Sequence, residues 1–161
     1  MSYAAALNVA DYFDAGRVAI QAFLDSSKLS AEDLNLLRRD ILKDGLYTAE
    51  EIAALFALER QIVDKPPQWP DFFVDAVTSY VLWQLRPTGI INEGQAEWLI
   101  SQSDQIRSPN CLALLVNVAH EAHRVPLWFK TAVASRIKRD LPQNDPIASG
   151  EPAGNGMRPM A

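Results

Sequence analysis

Apolar side chains in this chain recur every three to four positions, in stretches cut apart by proline, glycine and short polar residues. Leu34, Leu37 and Ile41 form one such set, and Ile52, Leu55, Phe56, Leu58 and Ile62 a second. Phe73, Val74, Val77, Val81, Leu82 and Leu85 form a third. A period near 3.6 marks one face of a helix. No stretch sustains the period-two alternation with β-branched residues that a half-buried strand requires. Of the seven glycines, Gly150, Gly154 and Gly156 fall in the last dozen positions, which leaves the body of the chain glycine-poor. These features predict an all-α fold, a single bundle of about seven helices.

The punctuation sets the expected boundaries. A first helix covers about 10–25, with Phe13, Val18, Ile20, Phe23 and Leu24 as its apolar positions, and Ser26-Ser27 breaks it. Ser30 opens a second, with Asp33 three residues on, and Asp44-Gly45 ends it. Thr48-Ala-Glu-Glu51 reads as a capping box for a third helix, which Pro66-Pro67 terminates. Pro70 lies in the first turn of a fourth, the most apolar and so expected at the centre. Asn92 with Gln95 caps a fifth. Ser108-Pro109 opens a sixth, expected to run to about Arg124, and Pro126 opens a seventh to about Leu141. Residues 142–161 hold four of the ten prolines and almost no large apolar groups, the composition of a disordered tail behind a helical domain over 1–141.

Composition excludes several classes. With 161 residues, 48% hydrophobic and 22% charged, the chain has the balance of one globular domain. One cysteine and two histidines exclude a disulfide framework and a cysteine-rich zinc module. No Lys or Arg precedes Arg17, and Asp11 and Asp14 interrupt the early apolar positions, so no secretory signal is read. No apolar run is long enough to span a bilayer. The expectation is a cytoplasmic protein.

Net charge is −5, which argues against non-specific nucleic-acid binding. The charge is uneven. Residues 1–104 carry 16 acidic and 8 basic side chains, and 105–161 carry 4 and 7. Arg124, Lys130, Arg136, Lys138 and Arg139 follow one another with no acid between Arg124 and Arg139. They are the candidate partner-binding residues, facing an anionic partner or the chain's own acidic half. Cations near a helix C-terminus also favour its dipole without any partner.

A repeat emerges at an offset of 44 residues. Leu37, Ile41, Gly45, Tyr47, Thr48 and Leu55 fall on Val81, Leu85, Gly89, Ile91, Asn92 and Leu99. Each unit reads helix, glycine-centred turn, capped helix. The first overlaps a calcium-loop spacing, with Gly45 at the sixth position, Asp40 first, Asp44 fifth and Glu51 twelfth. These three carboxylates are the candidate metal ligands, for a weak divalent cation. Leu42 at the third position supplies no ligand, and capping alone accounts for Thr48 and Glu51. In the second unit Gln84, Arg86, Thr88 and Gln95 take the ligand positions, and the cationic Arg86 bars a dication.

The pattern Asp44-Gly45-x-x-Thr48-x-x-Glu51, followed by Gly89-Ile-Ile-x-x-Gly-x-x-Glu97, resembles the TerB-like helical domains linked to tellurite resistance. Over about 30–104 the resemblance implies a small all-helical bacterial domain with duplicated acidic turns. It implies a metal-binding stress-response role carried by Asp44 and Glu51, with Asp40 one turn earlier. Thr88 departs from the second acidic turn.

Other chemistry is sparse. His120-Glu121-Ala122-His123 is one residue short of the zincin spacing, and two imidazoles three apart can share a helix face. Cys111 follows a helix start, where a thiol can be activated, but a small buried cysteine is the plainer expectation. Trp83 and Trp98 are expected in the core, and Trp69 and Trp128 at its edges. No nucleophile, base and oxyanion site assembles. The sequence therefore points to a non-catalytic protein-binding or regulatory module without a cofactor. Its expected partner is a protein, with a second copy of the chain admissible and nucleic acid disfavoured.

Overall fold

The structure, a computed structural model, describes residues 21–41 and 47–140, with side chains omitted at 40–41. The rest of the first helix, the Asp44-Gly45 turn and the predicted tail over 142–161 lie outside the described residues. The fold is all-α. After a helical stretch over 21–26 come α1 (Ala31–Leu36), continued by a π-helical turn Leu37–Ile41, and α2 (Ala49–Gln61). Then follow α3 (Trp69–Thr78), continued by a π-helical turn Ser79–Gln84, α4 (Glu93–Ile106), α5 (Pro109–Glu121) and α6 (Leu127–Asp140).

The caps form as their chemistry dictates. Ser30 and Asn92 each accept from the backbone N–H three residues on, and the Asp33 and Gln95 side chains accept from the cap N–H in return. Thr48 and Ser108 accept from the Glu51 and Cys111 amides at 3.0 and 3.1 Å. Each such cap satisfies a donor that the helix leaves open, worth about 1 kcal/mol.

Of the two stretches seen at the 44-residue offset, the second is present, running from α3 through the Gly89 turn to α4, while the turn of the first lies outside the described residues; packing reveals a different equivalence. Two three-helix units follow one another, α1–α2–α3 and α4–α5–α6. Leu29, Ser30, Leu34 and Leu37 correspond to Ile91, Asn92, Ala96 and Leu99, 62 positions later. Ile52, Leu55, Leu58, Trp69 and Phe73 correspond to Leu112, Leu115, Val118, Phe129 and Val133, 60 positions later. Apart from the two caps, every one of these residues is buried. The backbone repeats as well. Leu29 N–H donates to the Asp64 carbonyl at 3.0 Å, and Ile91 N–H to the Arg124 carbonyl at 2.9 Å. Each bond belongs to an isolated parallel bridge, Lys28 with Asp64 and Ile90 with Arg124. Each bridge ties the chain entering a unit to the chain leaving its second helix. Among the described residues these bridges are single contacts between loops, and no strand forms.

α3, the last helix of the first unit, packs against α5 of the second, against α2 and against its own π-helical turn. Trp69, Phe73, Val77, Val81 and Leu82 are fully enclosed there. Phe73 meets Phe56 edge-on at 5.3 Å and stacks on Trp69 at 5.7 Å. Burying side chains of this size contributes about 1.5–3 kcal/mol each.

Three expectations need correction. Trp69 is no edge residue but the largest fully buried side chain. Trp83, expected inside, is 42% exposed. It sits on the π-helical turn, whose wider winding moves it off the α-helical phase of the apolar stripe. The sixth helix stops at Glu121 rather than near Arg124, because Ala122 turns extended and the next residues join the bridge.

The bridge of the second unit depends on Gly89. Its φ is +76°, and its carbonyl accepts from the His123 and Arg124 amides. A Cβ there would stand 2.8 Å from His123 Nδ1. We expect Gly89→Ala to lower stability by more than about 1 kcal/mol in urea denaturation, through both the left-handed backbone and the imidazole. Adding His123→Ala should return only part of the loss.

Candidate functional site

The only charged residue buried among the described residues is Glu59, at 4% exposure on the last turns of α2. A bare carboxylate there would cost several kcal/mol. Four neighbours prevent that. Lys65 Nζ, on the extended link after α2, donates at 3.0 Å. Trp69 Nε1 donates at 2.8 Å from the start of α3. Asn110 Nδ2 lies 3.0 and 3.2 Å from the two carboxylate oxygens. The Ser108 hydroxyl adds a further bond while it caps α5. Burial pushes the Glu59 carboxyl up, but the bonds from Ser108, Asn110, Trp69 and Lys65 outweigh it and hold the pKa below 4.5. The carboxylate thus fastens the end of α2, the start of α3 and the N-terminus of α5 to one point, across the boundary between the units. These bonds hold the three segments together at this point.

Cys111 lies beside it and is buried. Burial raises its pKa, and the Glu59 charge adds to the rise. That is the opposite of an activated nucleophile. His120 is on α5, but His123 lies beyond its end and stands against Trp83, with ring centroids 5.8 Å apart. The two imidazoles therefore do not share a helix face.

Of the candidate metal ligands, Asp44 and the side chain of Asp40 lie outside the described residues. Glu51 is at the third position of α2, where its amide serves the Thr48 cap. Gln84, a ligand position in the second loop, instead pins the backbone of Tyr47. It accepts from the Tyr47 N–H at 3.0 Å and donates to the Tyr47 carbonyl at 3.1 Å.

The basic stretch divides in two. Arg136 reaches from α6 to Asp104 on α4 in a two-pronged pair at 2.7 and 2.6 Å. The Arg136 hydrogen bond holds the Asp104 carboxyl below its usual range. Arg139 holds Asp140 in the same way at 2.6 and 2.7 Å, and Arg107 adds a bond at 3.2 Å. The Asp140 pKa falls to about 2, with the Arg139 hydrogen bond as the main cause. These two arginines meet carboxylates of their own chain, one of them in its acidic half. Arg124, Lys130 and Lys138 are exposed.

A groove that the sequence did not reveal runs between α5 and the end of α6, with a volume near 840 Å³. Pro109, Leu112, Ala113, Val116 and Ile137 line it, with Arg107, Arg139 and Asp140. Val116 is 41% exposed. A second hollow near 800 Å³ is lined by Leu127, Trp128 and Thr131 with Glu93 and Arg136, and Trp128 Nε1 donates to Glu93 at 2.7 Å. Both are apolar surfaces edged by charge, a form suited to a protein segment.

No family profile, curated protein or solved structure matches the chain.

Because the Glu59 pKa is depressed on folding, the charged carboxylate stabilises the fold above pH 4.5 and loses that contribution as pH falls through its folded value. Glu59→Gln is expected to cost about 2 kcal/mol at pH 7 in urea denaturation. The gap to wild type should narrow at an acid pH below the folded value of Glu59, where the native side chain is also neutral. An equal gap at both pH values would show that charge contributes nothing at this position.

Proposed function

We propose that the chain is a non-catalytic helical module that binds a protein segment in the groove along α5. The carrying observation is the groove itself, where Leu112, Val116 and Ile137 form an apolar floor on a rigid helix pair. Ion pairs fix its edge, Arg107 and Arg139 with Asp140. An amphipathic helix laid into a groove is a common way for such a surface to recognise a partner. The groove's own lining carries Arg107 and Arg139 against the single Asp140, a balance that favours a partner with acidic flanks. The same balance suits a short acidic protein segment better than a polyanion, because Arg136 and Arg139 already face carboxylates.

Quantitative affinity capture with wild type and Val116→Arg tests the reading, followed by calorimetric titration with each purified partner. Val116 is exposed, so the arginine is accommodated without disturbing the core. A partner that uses the groove should bind the variant at least about tenfold more weakly, a loss of about 1.4 kcal/mol. Partners that bind wild type and variant equally would overturn the assignment of the groove.

A further inference from the structure

The duplication shows what covers this face when it is covered. In the first unit the matching face of α2 is closed. Phe56, the counterpart of Val116, is 2% exposed, and Ile52, the counterpart of Leu112, is sealed as well. Part of the cover is α4, the first helix of the next unit, whose Trp98 meets Phe56 edge-on at 5.4 Å. The second unit has no unit after it among the described residues, and its face is the open groove. The converse holds at the other end. Trp98 corresponds to Leu36 on α1, 62 positions earlier, and Leu36 is a large apolar side chain left 39% exposed. One chain therefore presents both halves of an interface that it already makes once within itself.

Charge agrees with that pairing at the start of α1, where Glu32 and Asp33 stand in the first turn ahead of Leu36, with Arg38 and Arg39 on the π-helical turn beyond it. The groove carries Arg107 and Arg139 against one carboxylate, Asp140. On the scale of the whole chain, the acidic excess lies in 1–104 and the basic excess in 105–161.

We propose that copies of the chain associate head to tail, α1 of one copy seating Leu36 in the Leu112–Val116–Ile137 groove of the next, as Trp98 seats on Phe56 within each copy. The proposal rests on the groove being a protein-binding face, as argued above, and names its occupant as a second copy. Such a contact is heterologous, so it does not close at a dimer by itself and extends with concentration. One helix in one groove is a small interface, the size class of weak and transient encounters, so the association is sought at high protein concentration.

Sedimentation equilibrium of the full chain, from about 10 µM to about 1 mM, reads the association directly. The weight-average mass of wild type should climb past twice the chain mass without a plateau. Leu36→Arg and Val116→Arg, both at exposed positions and checked for native circular dichroism, should each stay at the mass of one chain. Their equimolar mixture is the decisive sample. Leu36→Arg keeps an intact groove and Val116→Arg an intact α1, so together they should form a dimer that grows no further. A mixture that remains monomeric overturns the proposal, as does a wild type that stays monomeric throughout. Loss of assembly in Val116→Arg with none in Leu36→Arg also overturns it, and would assign the groove to a copy of itself or to another segment. A monomeric wild type whose captured partners still depend on Val116 would leave the groove as a protein site and reject only the second copy as its occupant.

Discussion

The Glu59 carboxylate is the constraint around which the two units are joined. It is charged, almost wholly enclosed, and fed by donors from three separate parts of the chain. An apolar residue at that position would let α2, α3 and α5 slide against one another, since dispersion contacts have little directionality. The carboxylate accepts only donors placed at about 3 Å, so it sets where Trp69 and the N-terminus of α5 can lie. Its counterpart in the second unit is Ala119, 60 positions later, and the duplication is therefore asymmetric at the joint. Among the described residues such a lock occurs once, between the units.

From that joint the surface follows. The first unit uses its second helix to receive α4, and Phe56 disappears beneath Trp98. The second unit offers the same face to solvent. What distinguishes a covered face from an open one in this molecule is position in the chain order rather than residue chemistry: Ile52 and Leu112 are both large and aliphatic, and only one is completely covered.

Much of the fold was legible because its signals are local. Ser30, Thr48, Asn92 and Ser108 announce helix starts by short-range chemistry, and all four cap helices in the structure. The duplication was not legible at its true offset. Its matches are Ile52 with Leu112, Leu58 with Val118 and Trp69 with Phe129, which share burial rather than identity, and the offset slips from 62 to 60 where the link before α5 is shorter. The 44-residue match stood out because glycine and cap residues are conspicuous, yet it pairs the second helix of one unit with the first helix of the next. Burial of Trp69 was hidden for a related reason. Its indole N–H needs an acceptor, and Glu59 becomes that acceptor only once the link after α2 has turned the chain. The groove was equally hidden, since nothing in the spacing of Leu112 and Val116 distinguishes a covered stripe from an open one.

The central claim is that two equivalent units are joined so that one apolar face is covered inside the chain and its twin is left for a second molecule. Amide hydrogen exchange read by NMR at low and high protein concentration tests it most directly. The account predicts similar, concentration-independent protection at the Leu29 and Ile91 amides, which make matching bonds in the two bridges. It also predicts that amides flanking Val116 and Leu36 gain protection together as concentration rises. Unequal protection of the bridge amides, or a groove whose exchange ignores concentration, would contradict it.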